Sequence, residues 1–415
     1  MLSAQMSVGA FELLKTNSAS SSYFRTAIFN TFRPMKQRIK VLQLHPDYNV
    51  KTNDVSDLGE QIVKSLPTDQ FEVTCAYLSG KPTGSQPHSI AEHEHYFELP
   101  DTKMHGLRLS ALWQLYKFCK ANQFDVVICN RFKVVSMVLQ LNKILHIPLC
   151  VGVSHVLNEY HRPYRRFQVR LLTDKHWHFV GVSDAVKNCL IAYKSGFNEH
   201  NTHAIPNAID ITKAEASQLD KQGARQALNL PQDKLIVGAI GQLFARKGHR
   251  FLIAALANIQ HQFPDLHIGI IGKGPEEQNL RNQIASLGLN DKVHLLGFRE
   301  NALQYVRAFD IWAMPSLKEG LPLALMEGIS GHLPVIASDI PEMHDVIVGA
   351  GGITVAPEDI DALTQALTEY ATLDASELEN KGQQAFRFLS NHHSIDTYRF
   401  NYRTLIESHL KKNMS

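Results

Sequence analysis

Short apolar runs alternate along this chain with longer stretches whose apolar residues recur at helical spacing. Two such series follow one another. The first places its short runs at 39–44, 71–78, 125–130, 148–154, 178–183 and 203–206. The second places them at 235–241, 267–272, 293–297, 311–315, 334–338 and 352–355. Strands alternating with helical patterns predict parallel sheets with crossover helices. Two similar series predict two doubly wound, Rossmann-like α/β domains rather than one large sheet. The turn formers of Pro206-Asn207-Ala208-Ile209-Asp210 mark the boundary. The predicted units are an extension at 1–34, a first domain at 35–206, a second at 207–392 and a closing segment at 393–415. The pattern of the last segment is helical, and it is expected to cross back to the first domain. No short-period repeat is visible.

The chain has 415 residues, 44% of them apolar and 20% charged, which is ordinary globular usage. Lys plus Arg number 42 and Asp plus Glu 40, a formal charge of +2. This near-balance gives no global case for nucleic-acid binding, so any anion site must be local. The longest apolar candidate, 134–153, is interrupted by Asn142, Lys143, His146 and Pro148, and reads as a helix followed by a strand. Residues 1–34 are rich in Ser and Ala and poor in acid, with Arg25 and Arg33. They fit a transit peptide or, preferably, an extension ahead of a natural start at Met35. Cys75, Cys119, Cys129, Cys150 and Cys189 form no Cys-x-x-Cys pair and are expected to be buried reduced thiols.

Ligands of open parallel sheets bind outside the carboxyl ends of the strands, so the loops after the second series should carry the chemistry. After the run at 311–315 comes Ser316-Leu317-Lys318-Glu319-Gly320-Leu321-Pro322, then Leu323-Ala324-Leu325-Met326-Glu327. A helix opening near Pro322 would leave the amides of Leu323 and Ala324 free for a phosphate. Glu319 and Glu327 would stand apart and hold different parts of one extended ligand. Equally, they fit a helix-dipole partner and a solvated helix position. Gly241-Gln242-Leu243-Phe244-Ala245-Arg246-Lys247-Gly248 follows the run at 235–241. Arg246 and Lys247 suit a diphosphate there, although adjacent basic residues are also common on solvated surfaces. Gly272-Lys273-Gly274 lacks the third glycine and downstream acid of a dinucleotide fingerprint, so NAD binding is not predicted. Gly297-Phe298-Arg299 could meet the edge of a base through its backbone.

These four elements, in this order and spacing, resemble the donor half of glycosyltransferase family 4, a retaining group with the GT-B fold. The resemblance is strongest from Gly238 to Glu342. It implies two Rossmann-like domains facing across a cleft. Arg246 and Lys247 correspond to the basic pair at the donor diphosphate. Glu319 corresponds to the acid that holds hydroxyls of the transferred sugar, and Glu327 to the acid on the ribose. His155, at the end of a first-series run, corresponds to a histidine facing the donor sugar. Gly241, Gly272, Phe298, Arg299, Gly320, Leu323 and Ala324 complete the implied donor site. One departure is visible: where the family often has a Gly-Gly loop after the first strand, this chain has His45-Pro46-Asp47-Tyr48-Asn49. His45, Asp47 or Asn49 would have to replace that contact.

The implied reaction moves a sugar from a UDP- or GDP-sugar to a glycan or lipid-linked acceptor in polysaccharide or glycolipid biosynthesis. The basic pair would stabilise the leaving charge, so neither a metal nor a cofactor is expected. A nucleotide-sugar 2-epimerase of the same fold and a non-catalytic nucleotide-sugar-binding protein are the competing classes. Asp359-Ile360-Asp361 resembles a metal-binding pattern but reads better as a helix cap. His93-Glu94-His95 and His176-Trp177-His178 have alternating spacing without an evident third ligand. The basic, aromatic segment at 161–170 fits either a solvated helix face or contact with an anionic membrane. A cytoplasmic protein is expected, with peripheral contact at the inner membrane face as the extension of that second reading.

Overall fold

The computed structural model describes residues 38–51, 54–100 and 108–414. The extension at 1–34 lies outside the described residues. The first sheet contains β1 (Ile39–Asp47), β2 (Phe71–Ser79), β3 (His93–Tyr96), β4 (Val126–Asn130), β5 (Leu149–Ser154), β6 (Trp177–Gly181) and β7 (Thr202–Ala204). The second contains β8 (Leu235–Ile240), β9 (Leu266–Ile271), β10 (Val293–Leu295), β11 (Ile311–Met314), β12 (Val335–Ser338) and β13 (Ile353–Val355). Strand order is β3-β2-β1-β4-β5-β6-β7 in one and β10-β9-β8-β11-β12-β13 in the other. Every pairing within these sheets is parallel.

Helices cover both faces, which is why the central strands read as uninterrupted apolar runs. All residues of β4, β5, β9, β11 and β12 are buried. The stretch at 134–153 divides into the end of a helix, Arg131–Leu145, and then β5. β3 was not expected. It is a four-residue edge strand of His93, Glu94, His95 and Tyr96 with no apolar run, so the alternation of its histidines reflects the pleat.

In each sheet the strand order reverses once, between β1 and β4 and between β8 and β11. Loops leaving neighbouring strands at such a point diverge to opposite faces and open a crevice.

The halves are stitched near residue 207. Asn207 donates its side-chain amide to the Leu321 carbonyl at 2.8 Å, and His393 donates Nδ1 to the Asn207 carbonyl at 2.9 Å. The last helix, Ile395–Met414, runs onto the first domain, where Arg399 Nε donates to Gln61 Oε1 at 2.9 Å. Among the described residues no helix is long and apolar enough to cross a membrane. Four cysteines are buried and unpaired, while Cys189 is only half-buried, a partial correction to the expectation for all five.

Candidate functional site

The loop after β8 and the loop after β11 flank the second sheet's reversal point, and their backbones lock together. Leu317 donates its amide to the Arg246 carbonyl at 2.8 Å. Gly248 has a φ of +69°, and a Cβ on it would lie 1.8 Å from the Pro315 carbonyl oxygen. Only glycine permits that approach. The lock brings Lys247 Nζ to 2.5 Å from Glu319 Oε1 and leaves Arg246 Nη1 3.9 Å from Glu319 Oε2. The Lys247 and Glu319 side chains are 13% and 9% exposed, whereas Arg246 is 51% exposed. Lys247 and Glu319 therefore form a nearly buried ion pair, and Arg246 reaches out at its rim.

The neighbouring loops continue the same row. A Cβ on Gly272 would lie 1.8 Å from the Gly241 carbonyl oxygen, and one on Gly241 would lie 3.8 Å from the Lys247 side chain. Gly272 donates its amide to the Gly297 carbonyl at 2.9 Å, which fixes the turn carrying Phe298 and Arg299. Phe298 is exposed, with Lys273 Nζ 4.6 Å from its ring centre. Sheet order thus sets Phe298 and Arg299 at one end, Arg246 and Lys247 in the middle, and Glu319 beyond. Such a row matches an extended ligand with a base, a charged centre and a polar end.

The helix after Pro322 spans Leu323–Ile329, so the first-turn amides of Leu323 and Ala324 have no acceptor within it. It is short, so its dipole adds little beyond those amides. Glu327 sits half-buried one turn further into that helix.

Gly320 joins this row to the first domain. A Cβ there would lie 2.1 Å from the His155 carbonyl oxygen. His155 follows β5, and its Nε2 is 3.4 Å from Asn130 Oδ1 at the end of β4. Burial, with the Arg131 charge, lowers its imidazole to about 4, so it is neutral near pH 7. His45, at the end of β1, stacks on Tyr77 and contacts Gln43, and burial with His155 and Arg131 lowers it to about 3. His45, Asp47, Asn49, Asn130, Arg131 and His155 line one cavity of about 230 Å³ at the first sheet's reversal point, with Leu323 across it. A larger cavity of about 750 Å³ lies instead at the amino ends of the second sheet, beside the Arg225–Asp310 ion pair.

Three residues here had no assigned role in the sequence. Glu159 is buried and accepts hydrogen bonds from Phe132 N at 2.6 Å, Ser154 Oγ at 2.8 Å and His155 N at 3.1 Å. It fixes the His155 turn. Asn130 and Arg131 end β4, and Arg131 holds a φ of +67°, a strained value for a side-chain-bearing residue. A polar pair closing an apolar run beside the reversal was the available signal. Pro341-Glu342 contributes a second bridge: burial raises the Glu342 carboxyl, while a hydrogen bond from the Leu157 amide and the Lys318 charge oppose the rise.

The discounted features divide. Asp359 caps the helix Ile360–Ala371 through Ala362 N at 2.8 Å. Glu94 is taken by His88 and Ser89. His178, however, acquires two further ligand-type neighbours, His203 and His409, from distant sequence, while His176 stays apart from them.

Two family models match this chain. "Glycosyltransferase Family 4" matches residues 60–213 and "Glycosyl transferases group 1" matches 220–387. An uncharacterised glycosyltransferase of Methanocaldococcus jannaschii is 31% identical over 142 residues, 34% of each chain. The Escherichia coli UDP-Gal:alpha-D-GlcNAc-diphosphoundecaprenol alpha-1,3-galactosyltransferase is 25% identical over 348 residues, 80% of this chain and 87% of that protein. Across the first curated relatives, the matched part spans about a third to a half of their length. Among solved structures, Anabaena HepE in complex with UDP-glucose superposes with a TM-score of 0.71 at 19% identity, covering 89% of this chain and all of that one. That likeness concerns the fold. With one family model falling on each sheet, and the two together spanning most of the described chain, the chain belongs to the family 4 type of glycosyltransferase, built as two parallel-sheet domains of GT-B fold.

Proposed function

We propose that the protein transfers a sugar from a UDP- or GDP-sugar to a glycan or lipid-linked acceptor, with retention at the anomeric carbon and without a catalytic metal. The observation that carries this reading is the meeting of Lys247, Arg246 and Glu319 at one reversal point, opposite His155. Cleavage of the bond between the anomeric carbon and the phosphate oxygen sends its electron pair to the leaving diphosphate. Lys247, Arg246 and the first-turn amides are aimed at that growing charge, so they favour the transition state over the ground state. The acceptor oxygen bonds to the anomeric carbon on the face the diphosphate leaves, and its proton passes to a phosphate oxygen. Glu319 orients sugar hydroxyls, Glu327 the ribose, and the backbone around Phe298 and Arg299 the base. The neutral His155 offers a hydrogen bond rather than a charge.

The acceptor belongs on the first-domain side, in the cavity bounded by His45, Asn130 and Arg131. The E. coli relative is named for a diphosphate-linked lipid acceptor, and HepE is described with UDP-glucose. Both support a UDP-sugar donor here, and the E. coli relative supports a lipid-diphosphate acceptor. The helix Pro163–Leu172 fits work at a membrane surface: Tyr164, Phe167 and Leu171 are exposed on it, beside exposed Arg162 and Arg170. A thermal-shift screen with UDP, GDP and their sugars, then turnover in EDTA, tests the reading. Stabilisation by one nucleotide family and turnover in EDTA are expected. Indifference to all of these ligands, or turnover requiring Mn²⁺, would overturn it.

A further inference from the structure

The outer face of the first sheet's far edge carries a cluster with no part in the transfer site. His178 on β6 and His203 on β7 share one face of the sheet. Val180 pairs with His203, so His178 is its diagonal neighbour two residues away. The helix Ile395–Met414 covers that face with Tyr402, Leu405, Ile406 and Leu410 buried. His409 continues this stripe along the helix. His178 Nδ1 lies 3.2 Å from His203 Nε2, and the His178 and His409 ring centres are 3.7 Å apart.

We propose that His178, His203 and His409 form a three-imidazole site for a divalent transition cation of the zinc class, tying the C-terminal helix to the first sheet. Their three ligand nitrogens lie within 4.8 Å of one another. Tetrahedral zinc, with bonds of about 2.0–2.1 Å, needs nitrogens about 3.3 Å apart. The His178–His203 pair has that spacing, and the third arm closes with a rotamer adjustment. Imidazole nitrogen is a ligand zinc, cobalt and nickel all accept. The nearby Lys187 charge is paired with Glu199 at 3.1 Å. A cavity of about 320 Å³ beside His203 and His409, edged by Asn401, Thr404 and Ser408, leaves room for water as a fourth ligand. The ligands come from β6, β7 and the last helix, so the bound ion would cross-link chain segments some 200 residues apart and favour the folded form.

The test uses the full chain, stripped with EDTA and titrated with Co²⁺ and Zn²⁺ at pH 7.5. One saturable equivalent is expected, with the intense visible absorption of four-coordinate cobalt and a rise in Tm on adding zinc. His203→Gln and His409→Gln should each abolish both signals, while His93→Gln on the exposed edge strand keeps them. A measurement on the unmodified protein guards against variants that misfold: zinc should protect His203 and His409 from diethyl pyrocarbonate. Non-saturating uptake, uptake unchanged in both variants, or no protection would each overturn the site. Donor binding and turnover are separate readouts, so failure here would not touch the proposed transfer reaction.

Discussion

Lys247 Nζ stands 2.5 Å from Glu319 Oε1, although 72 residues separate them in sequence. The contact follows from strand order: β8 and β11 are neighbours, so the loops leaving their carboxyl ends must meet. Both groups are nearly buried, and their mutual charge offsets a desolvation cost neither could bear alone. A diphosphate entering beside Lys247 would share the ammonium and free Glu319 to accept sugar hydroxyls. On the proposed reaction, pairing and catalysis use the same two side chains, and substitution can separate them.

Lys247→Ala should lower kcat/KM by roughly 10²–10³, the usual loss for one charge-stabilising donor. It also strands a buried carboxylate, a loss of about 3–5 kcal/mol in stability. Adding Glu319→Gln should restore most of the Tm and none of the turnover. Arg246→Ala should cost similar turnover but only about 0–1 kcal/mol in stability, because its guanidinium is half-exposed. Steady-state kinetics with thermal melts separate these outcomes, and near-normal turnover in both variants would remove the catalytic role.

Gly320→Ala tests the seam between the domains. A methyl group there overlaps the His155 carbonyl, a backbone atom that cannot turn aside. The halves must part or the loop must shift, and misplacement near 1 Å costs about a hundredfold in rate. Small-angle scattering should report a larger radius of gyration and kinetics a lower kcat. A variant with native dimensions and rate would mean that the seam closes without this contact.

Glu327→Ala should act on nucleotide affinity. The carboxylate lies one turn inside its helix and is no member of the Lys247–Glu319 ion pair, so its loss leaves that pair and Arg246 in place. Removing a charged hydrogen-bonding group costs about 1.5–3 kcal/mol, or roughly 10- to 150-fold in donor KM. An unchanged donor KM with reduced kcat would place Glu327 at the reacting carbon instead.

The helix Pro163–Leu172 makes a separable claim. Arg165 and Arg166 lie over the rings of Phe132 and Tyr193 at 4.6 and 5.2 Å, so protein contacts occupy them. Arg162, Arg170, Phe167 and Leu171 remain outward. Phe167→Ser with Leu171→Ser should reduce co-sedimentation with anionic vesicles more than Arg165→Gln does, while turnover on a water-soluble acceptor stays unchanged. Wild-type protein that ignores anionic vesicles would end the membrane reading.

Much of the architecture was legible because strands covered on both faces must be apolar throughout, and glycines mark the loops where backbones touch. Arg246, Lys247 and Glu319 could be placed on loops at strand ends for that reason, while the adjacency of β8 and β11 that makes those loops neighbours is a matter of sheet order. The Lys247–Glu319 pair itself was not legible, since spacing along a chain says nothing about which rotamers meet. Glu159 was missed because one acid four residues after His155 looks like any turn residue. β3 was missed because a short polar edge strand carries no periodic apolar signal. The approach of His203 and His409 to His178 depends on β6–β7 pairing and on the course of the last helix, neither of which leaves a local trace.

Part of the acid sensitivity arises on the first-domain side of the cleft. His45 and His155 are held at about 3 and about 4, burial being the largest cause in each. In the unfolded chain both titrate near about 6.5. Between those values the unfolded form binds more protons, so stability rises with pH. The contribution is complete above about pH 6.5 and declines as pH falls toward 4, by at most about 1.4 kcal/mol per pH unit for each histidine. Urea denaturation from pH 4.5 to 7.5 should give a midpoint that falls on the acid side. His45→Gln, which keeps a polar group beside Gln43, should flatten the slope while leaving the pH 7.5 midpoint less affected. An identical slope in wild type and variant would mean that His45 is not held neutral by the fold.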